Sequence, residues 1–237
     1  MFLKSKTFVT MSIAVLSIML AAGFQNCGKV HFSPTDGTNT NTSICVPGKK
    51  LGIWLDDANE TFLGDIVTYT GDVSAIVNYG YESASAHPIN GPTPIGYELH
   101  NFFYEGTDGL MLNFYGNVDS NDGSQGSADN EYSLRIYTFG NDSDDDIVFV
   151  DDRGDYMQRQ VLSDHNEYNA HFHYWYNTDG AIIGPFNGED FEIRVQITSA
   201  GDLQGARFYS VNHTSFNLGS SANLSYIIRY REYEECK

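Results

Sequence analysis

Residues 191–198 read FEIRVQIT. Phe191, Ile193, Val195 and Ile197 alternate with Glu192, Arg194, Gln196 and Thr198. Successive side chains of a strand point to opposite faces, so this octet is an antiparallel strand with one buried and one solvated face. Leu224, Tyr226, Ile228 and Tyr230 repeat the pattern near the C-terminus. Working outward, the same period of two runs from Leu51 to Glu235, punctuated by Gly, Asn, Asp and Pro, and no stretch shows the 3.6-residue period of a helix. It predicts strands over 51–56, 63–69, 73–81, 97–104, 109–116, 131–139, 146–151, 156–162, 168–176, 181–186, 190–198, 205–212 and 223–233. That many short strands in one domain imply an all-β fold, a two-sheet antiparallel β-sandwich of jelly-roll or lectin-like form. The lack of an internal repeat argues against a propeller or solenoid.

The 237 residues carry 13 Lys+Arg against 31 Asp+Glu, a formal charge of −18. Such a surface repels phosphate backbones, which excludes a nucleic-acid partner. Fifteen Phe, sixteen Tyr and two Trp supply a substantial core. Residues 51–134 contain no Lys or Arg, so the cations of the folded region are concentrated in its second half.

Lys4 and Lys6 precede the apolar run Thr7 to Leu20 (TFVTMSIAVLSIML) and the small residues Ala21, Ala22 and Gly23. This is a secretory signal, too short for a stable transmembrane helix. Two processing routes fit: cleavage after Gly23, or lipid attachment at Cys27 in Leu20 to Gly28 (LAAGFQNCG). The Phe-Gln-Asn-Cys run followed by Gly resembles lipoproteins of predatory delta-proteobacteria, with Gln25 and Asn26 where most lipoproteins have small or apolar residues. The resemblance covers about the first 28 residues and implies a lipidated Cys27, a membrane as partner, and an outer-membrane place in the bacterial cell envelope, on its periplasmic or surface face. The expected organisation is a signal at 1–26, a Thr/Asn/Gly-rich tether at 27–44 and the sandwich at 45–237. Removing 1–26 leaves 11 cations against 31 acids, a charge of −20.

Three cysteines occur, Cys27, Cys45 and Cys236. With Cys27 lipidated, Cys45 and Cys236 bracket the folded region as a pair suited to a disulfide in an oxidising compartment; two free thiols are the alternative.

The acids crowd into Asn117–Glu131 and Asn141–Asp155. Hard oxygen ligands in loops suit Ca²⁺, and Asp142, Asp144, Asp145 and Asp146 are the candidate set; a solvated acidic surface is the alternative. In Asp164–Asn177 (DHNEYNAHFHYWYN), His171, His173 and Trp175 share one face of a strand, opposite Tyr168, Ala170, Phe172, Tyr174 and Tyr176. Together with the outward residues Glu192, Arg194 and Gln196 they have the chemistry of a carbohydrate-binding face, an aromatic ring surrounded by planar polar groups. Two histidines at i and i+2 with His213 and Asn217 also resemble cupins, which implies a metal-dependent jelly-roll enzyme, although Asn177 and Thr178 stand where that family has Glu. Asp190 and Glu192 leave room for a carboxylate-pair glycosidase. A structural envelope or adhesion protein, with the histidines bonding across strands, is the third reading.

Overall fold

The computed structural model describes residues 45–82, 85–86, 88–92, 98–116, 130–140, 145–151, 154–174, 178–201, 203–211, 214–219 and 222–236. Cys27, the signal and tether segments, Asp142, Asp144, Trp175 and His213 lie outside them. The chain from Ile44 to Lys237 clusters as one unit.

Two large sheets stack face to face. The first has seven strands in the order β10 (Tyr156–Val161), β11 (His165–Tyr174), β8 (Asn130–Phe139), β13 (Glu192–Ser199), β16 (Ser225–Cys236), β1 (Cys45–Leu55) and β2 (Phe62–Asp65), all antiparallel. The second runs β15 (Thr214–Gly219), β14 (Gly205–Ser210), β6 (Glu98–Gly106), β7 (Gly109–Gly116), β12 (Asp179–Gly184) and β9 (Asp146–Val150), with the two-residue β3 (Tyr69–Thr70) beside β6. A small hairpin, β4 (Tyr81–Glu82) with β5 (Ser85–Ala86), stands apart. The sandwich is therefore as expected, except that β6 pairs in parallel with both β14 and β3, which makes the second sheet mixed rather than wholly antiparallel.

Between the sheets, Ile53, Leu134, Ile136, Phe172, Ile193, Val195 and Ile228 meet Leu99, Phe103, Leu112, Phe114, Ile183 and Phe208. The second sheet is also buried on its other face. There Phe102, Tyr104, Met111, Tyr115 and Ile182 pack under Ala75 and Tyr79, with Tyr69, Val73 and Phe149 at the margins. This explains two kinds of strand in one chain. Glu192–Ser199 alternates because only one of its faces is covered, whereas Gly109–Gly116 and Asp179–Gly184 are buried almost continuously.

The strand expected over 73–81 is instead a short helix, α1 (Ala75–Tyr79). The Ser74 hydroxyl accepts from the Val77 amide, the Asp108 carboxylate accepts from the Ala75 amide at 3.0 Å, and Gly80 closes the end at φ 65°. Caps at both ends override the β-branched Ile76 and Val77, and Ala75, Asn78 and Tyr79 form the buried side. No helix among the described residues is long and apolar enough to cross a membrane.

Candidate ligand-binding groove

The outward face of the seven-stranded sheet carries the site. Register places Arg194 of β13 opposite Tyr137 of β8 and opposite Ile227 of β16, and Glu192 opposite Phe139, which in turn faces His165 of β11. Directly paired residues share a face, so these side chains form one lattice above the sheet. Tyr137, Phe139, His165, Arg194, Gln196, Ser225, Asp56 and Asn223 line a groove of about 520 Å³.

Each wall is held by its neighbours. The Arg194 Nε donates to Glu192 Oε1 at 2.8 Å, its Nη1 lies 3.9 Å from Asp56 Oδ1, and its guanidinium sits 5.9 Å from the Phe139 ring centre. The Glu192 hydrogen bond holds the guanidinium pKa above its ordinary value, so Arg194 is a permanent cation and donor. The His165 ring tilts against Phe139 at 5.1 Å and Tyr137 at 5.7 Å, and its Nδ1 lies 2.9 Å from Asp164 Oδ1. At the far lip the Ser225 hydroxyl donates to Asp56 Oδ2 at 2.8 Å, and the Asp56 amide donates to the Ser225 carbonyl. Asn223, in the left-handed region at φ 73°, donates its amide to the Ile197 carbonyl.

Of the residues singled out from the sequence, Glu192, Arg194 and Gln196 lie together on this face, as the alternation required. His171 and His173 are on the same sheet, two strands away from β13 with β8 between. His171 is further along the strand than the groove. Its Nδ1 lies 3.0 Å from the Ser133 hydroxyl, its Nε2 3.7 Å from Glu131, and its ring stacks on Tyr156 at 5.4 Å. That is a histidine tying three strands together. The His173 amide donates to Asp155 Oδ1. Asn217 lies in the other sheet, its side-chain oxygen accepting from the Gly219 amide. Asp190 pairs with Lys49 at 3.1 Å, and Glu192 is shared between Arg194 and Arg229, so both carboxylates are occupied by cations.

Asp145 and Asp146 have separate surroundings. Asp145 is fully buried, and its carboxylate accepts from the Thr138 hydroxyl at 2.5 Å, the Asn166 amide nitrogen at 2.7 Å and the Tyr168 hydroxyl at 2.9 Å, with Arg159 Nη2 at 3.9 Å. Its oxygens serve protein donors. Asp146 is exposed, 3.7 Å from Arg159, and accepts from the Ile147 amide. Among the described residues no group of three or more His, Cys, Asp and Glu is arranged to hold a metal ion. Cys45 and Cys236 are direct partners at the end of the β1–β16 ladder.

Tyr137, Phe139, His165, Asp56, Asn223 and Ser225 were missed from sequence. One signal was available for the rings: Ser133, Arg135, Tyr137 and Phe139 occupy alternate positions, so the outward face of this strand turns from polar to aromatic. The lip residues come from the end of β1 and from the turn and first residue of β16, distant in sequence, and only folding joins them. Comparison with protein families, curated proteins and solved structures finds no match to this chain.

Proposed function

We propose that the domain is a glycan-binding module of a bacterial envelope lipoprotein, working through the outward face of its seven-stranded sheet. The groove carries this reading. Tyr137, Phe139 and His165 offer ring surface, and Arg194, Gln196, Asn223 and Asp56 offer planar donors and acceptors beside it. A sugar has an apolar C–H face and a hydroxyl rim, and such a wall can stack on the first and hydrogen-bond the second. Acid/base catalysis is supported less, because Asp190 and Glu192 are both tied to cations. The lipid anchor rests on the Leu20–Gly28 segment, with residues 27–44 as the tether that holds the module off the membrane. Calcium has no part in the proposal, since Asp145 is engaged by four protein groups.

The test is a glycan array probed with the protein and with Tyr137→Ala. Wild-type signal that falls about tenfold or more in the variant, at unchanged circular dichroism, supports the groove. Absence of any glycan signal, or signal indifferent to Tyr137, refutes it and leaves the structural envelope reading.

A further inference from the structure

The groove is one end of a longer feature. Paired positions lead from Tyr137 to Arg194, from Arg194 to Ile227, from Ile227 to Trp54 and from Trp54 to Phe62. Four interstrand steps of about 4.8 Å make a row of roughly 19 Å lying across the strands. The β1–β2 register shifts between Ile53 and Trp54, and this places Phe62 opposite Trp54 on the outward side.

The far end is built around rings. A side chain on Gly52 would meet the Trp54 indole at 2.7 Å and the Phe62 ring at 3.1 Å, so its glycine lets both rings lie down on the sheet. Trp54 is buried, with Arg229 at 4.9 Å over its ring and Phe62 tilted against it at 5.1 Å. Phe62 itself remains 45% exposed, with Arg231 stacked at 5.1 Å. An exposed single phenylalanine is ordinary on a protein surface. This one is clamped by an indole and a guanidinium, at the end of the row of paired positions that begins in the groove.

Every arginine along the row is met by carboxylates, three cations facing four acids. Arg194 is matched by Glu192 and Asp56, Arg229 by Glu192 at 3.0 Å and Glu60 at 2.5 Å, and Arg231 by both oxygens of Asp65 at 2.7 and 2.9 Å. An anionic ligand would have to displace these carboxylates, and would approach a chain of formal charge −18. A cationic ligand would meet the arginines. A hydroxyl suits both halves of an ion pair, accepting from a guanidinium N–H and donating to a carboxylate oxygen.

We infer that the site takes an uncharged glycan chain, which starts in the Tyr137–His165 groove, crosses the strands over the Arg194–Glu192–Arg229 pairs and ends on Phe62. This rests on the groove reading and adds the ligand's charge, length and direction. The experiment uses the array with uncharged, carboxylated and sulfated glycans of graded length, at low and high salt, with Phe62→Ala and Phe62→Leu beside the wild type. The expected result is binding confined to uncharged chains, little changed by salt, and strengthening with length in the wild type. Both Phe62 variants should lose about tenfold on long chains, the order of one aromatic stacking contact, and nothing on short ones. Length dependence that survives in the Phe62 variants, or a salt-sensitive preference for acidic chains, overturns this inference while Tyr137-dependent binding leaves the groove standing. Loss of all glycan binding removes both. Thermal melts of the Phe62 variants within a few degrees of wild type establish that a loss is local, and Phe62→Leu, which keeps an apolar side chain without the ring, replaces Phe62→Ala if the latter does not fold.

Discussion

Replacing Asp145 by Ala is expected to be among the most damaging single changes in the second half of the chain. The carboxylate is inaccessible, and Thr138, Asn166 and Tyr168, themselves 2%, 6% and 0% exposed, all donate to it. Burial, followed by the Asp145 charge, pushes the Tyr168 phenol well above its ordinary pKa, so it stays a protonated donor. Truncation leaves three buried donors facing a methyl group, each costing about 1–3 kcal/mol, and takes the carboxylate from Arg159. Hydroxyls can turn to other acceptors, which trims the sum, and the cost of breaking a buried ion pair is about 3–5 kcal/mol. A loss of about 4 kcal/mol is the outcome, roughly 8–16 °C in Tm for a domain of this size. Asp145→Asn, which keeps one acceptor oxygen, should lose about half as much. The assay is urea and thermal unfolding by circular dichroism, run once with millimolar calcium and once with a chelator. If Asp145 serves the fold through protein donors, the two runs give the same loss. A loss under about 1 kcal/mol, or one that appears only with calcium, refutes the reasoning and restores Asp145 as a cation ligand.

Burial raises the phenol pKa of Tyr69, Tyr79, Tyr104, Tyr115, Tyr209, Tyr226 and Tyr230 as well as Tyr168, with Tyr209 pushed up to about 12. A group whose folded pKa lies above its unfolded value stabilises the fold below the unfolded pKa and ceases to as pH climbs through the folded one. Stability should therefore fall from about pH 10 to 12, and phenolate absorbance should rise in an early wave of exposed tyrosines and a late one that coincides with unfolding; a single wave near pH 10 with the fold intact would contradict the burial. The cysteines are expected to divide into one lipid site and one disulfide: non-reducing peptide mapping should find Cys45 joined to Cys236, whose loop closure is worth about 5 kcal/mol in the chain-entropy account. Cys27→Ala should release the protein from membranes, and free thiols at both Cys45 and Cys236, or retention of that variant, would count against the respective half.

The alternation in Phe191–Thr198 and Ser225–Tyr230 was legible because a strand covered on one face obeys a local rule, apolar inward and polar outward at each second residue. Glu192, Arg194 and Gln196 followed from it directly, since parity alone puts them on the wet face. Gly109–Gly116 and Asp179–Gly184 were also expected as strands, over 109–116 and 181–186, but the rule could assign them no wet face, because both of their faces are covered. Residues 73–81 misled for a related reason: Ile76 and Val77 favour a strand, but the Asp108 carboxylate, 33 residues on from Ala75, caps the helix from another part of the chain.

From the sequence alone came the fold class, the excess of acidic over basic residues, and the outward set on one strand. These depend on neighbours along the chain or on sums over it. Tertiary structure decided which strands lie side by side, and with that the composition of the groove: β8 between β13 and β11 brings Tyr137, Phe139 and His165 to Arg194, and leaves His171 to Ser133 and Tyr156. It also decided that Asp145 faces inward to protein donors and that Phe62 ends a row begun at Tyr137. Strand order is a property of pairing between segments up to the full length of the domain apart, selected by how well two whole faces bury one another. No local pattern of residues encodes it.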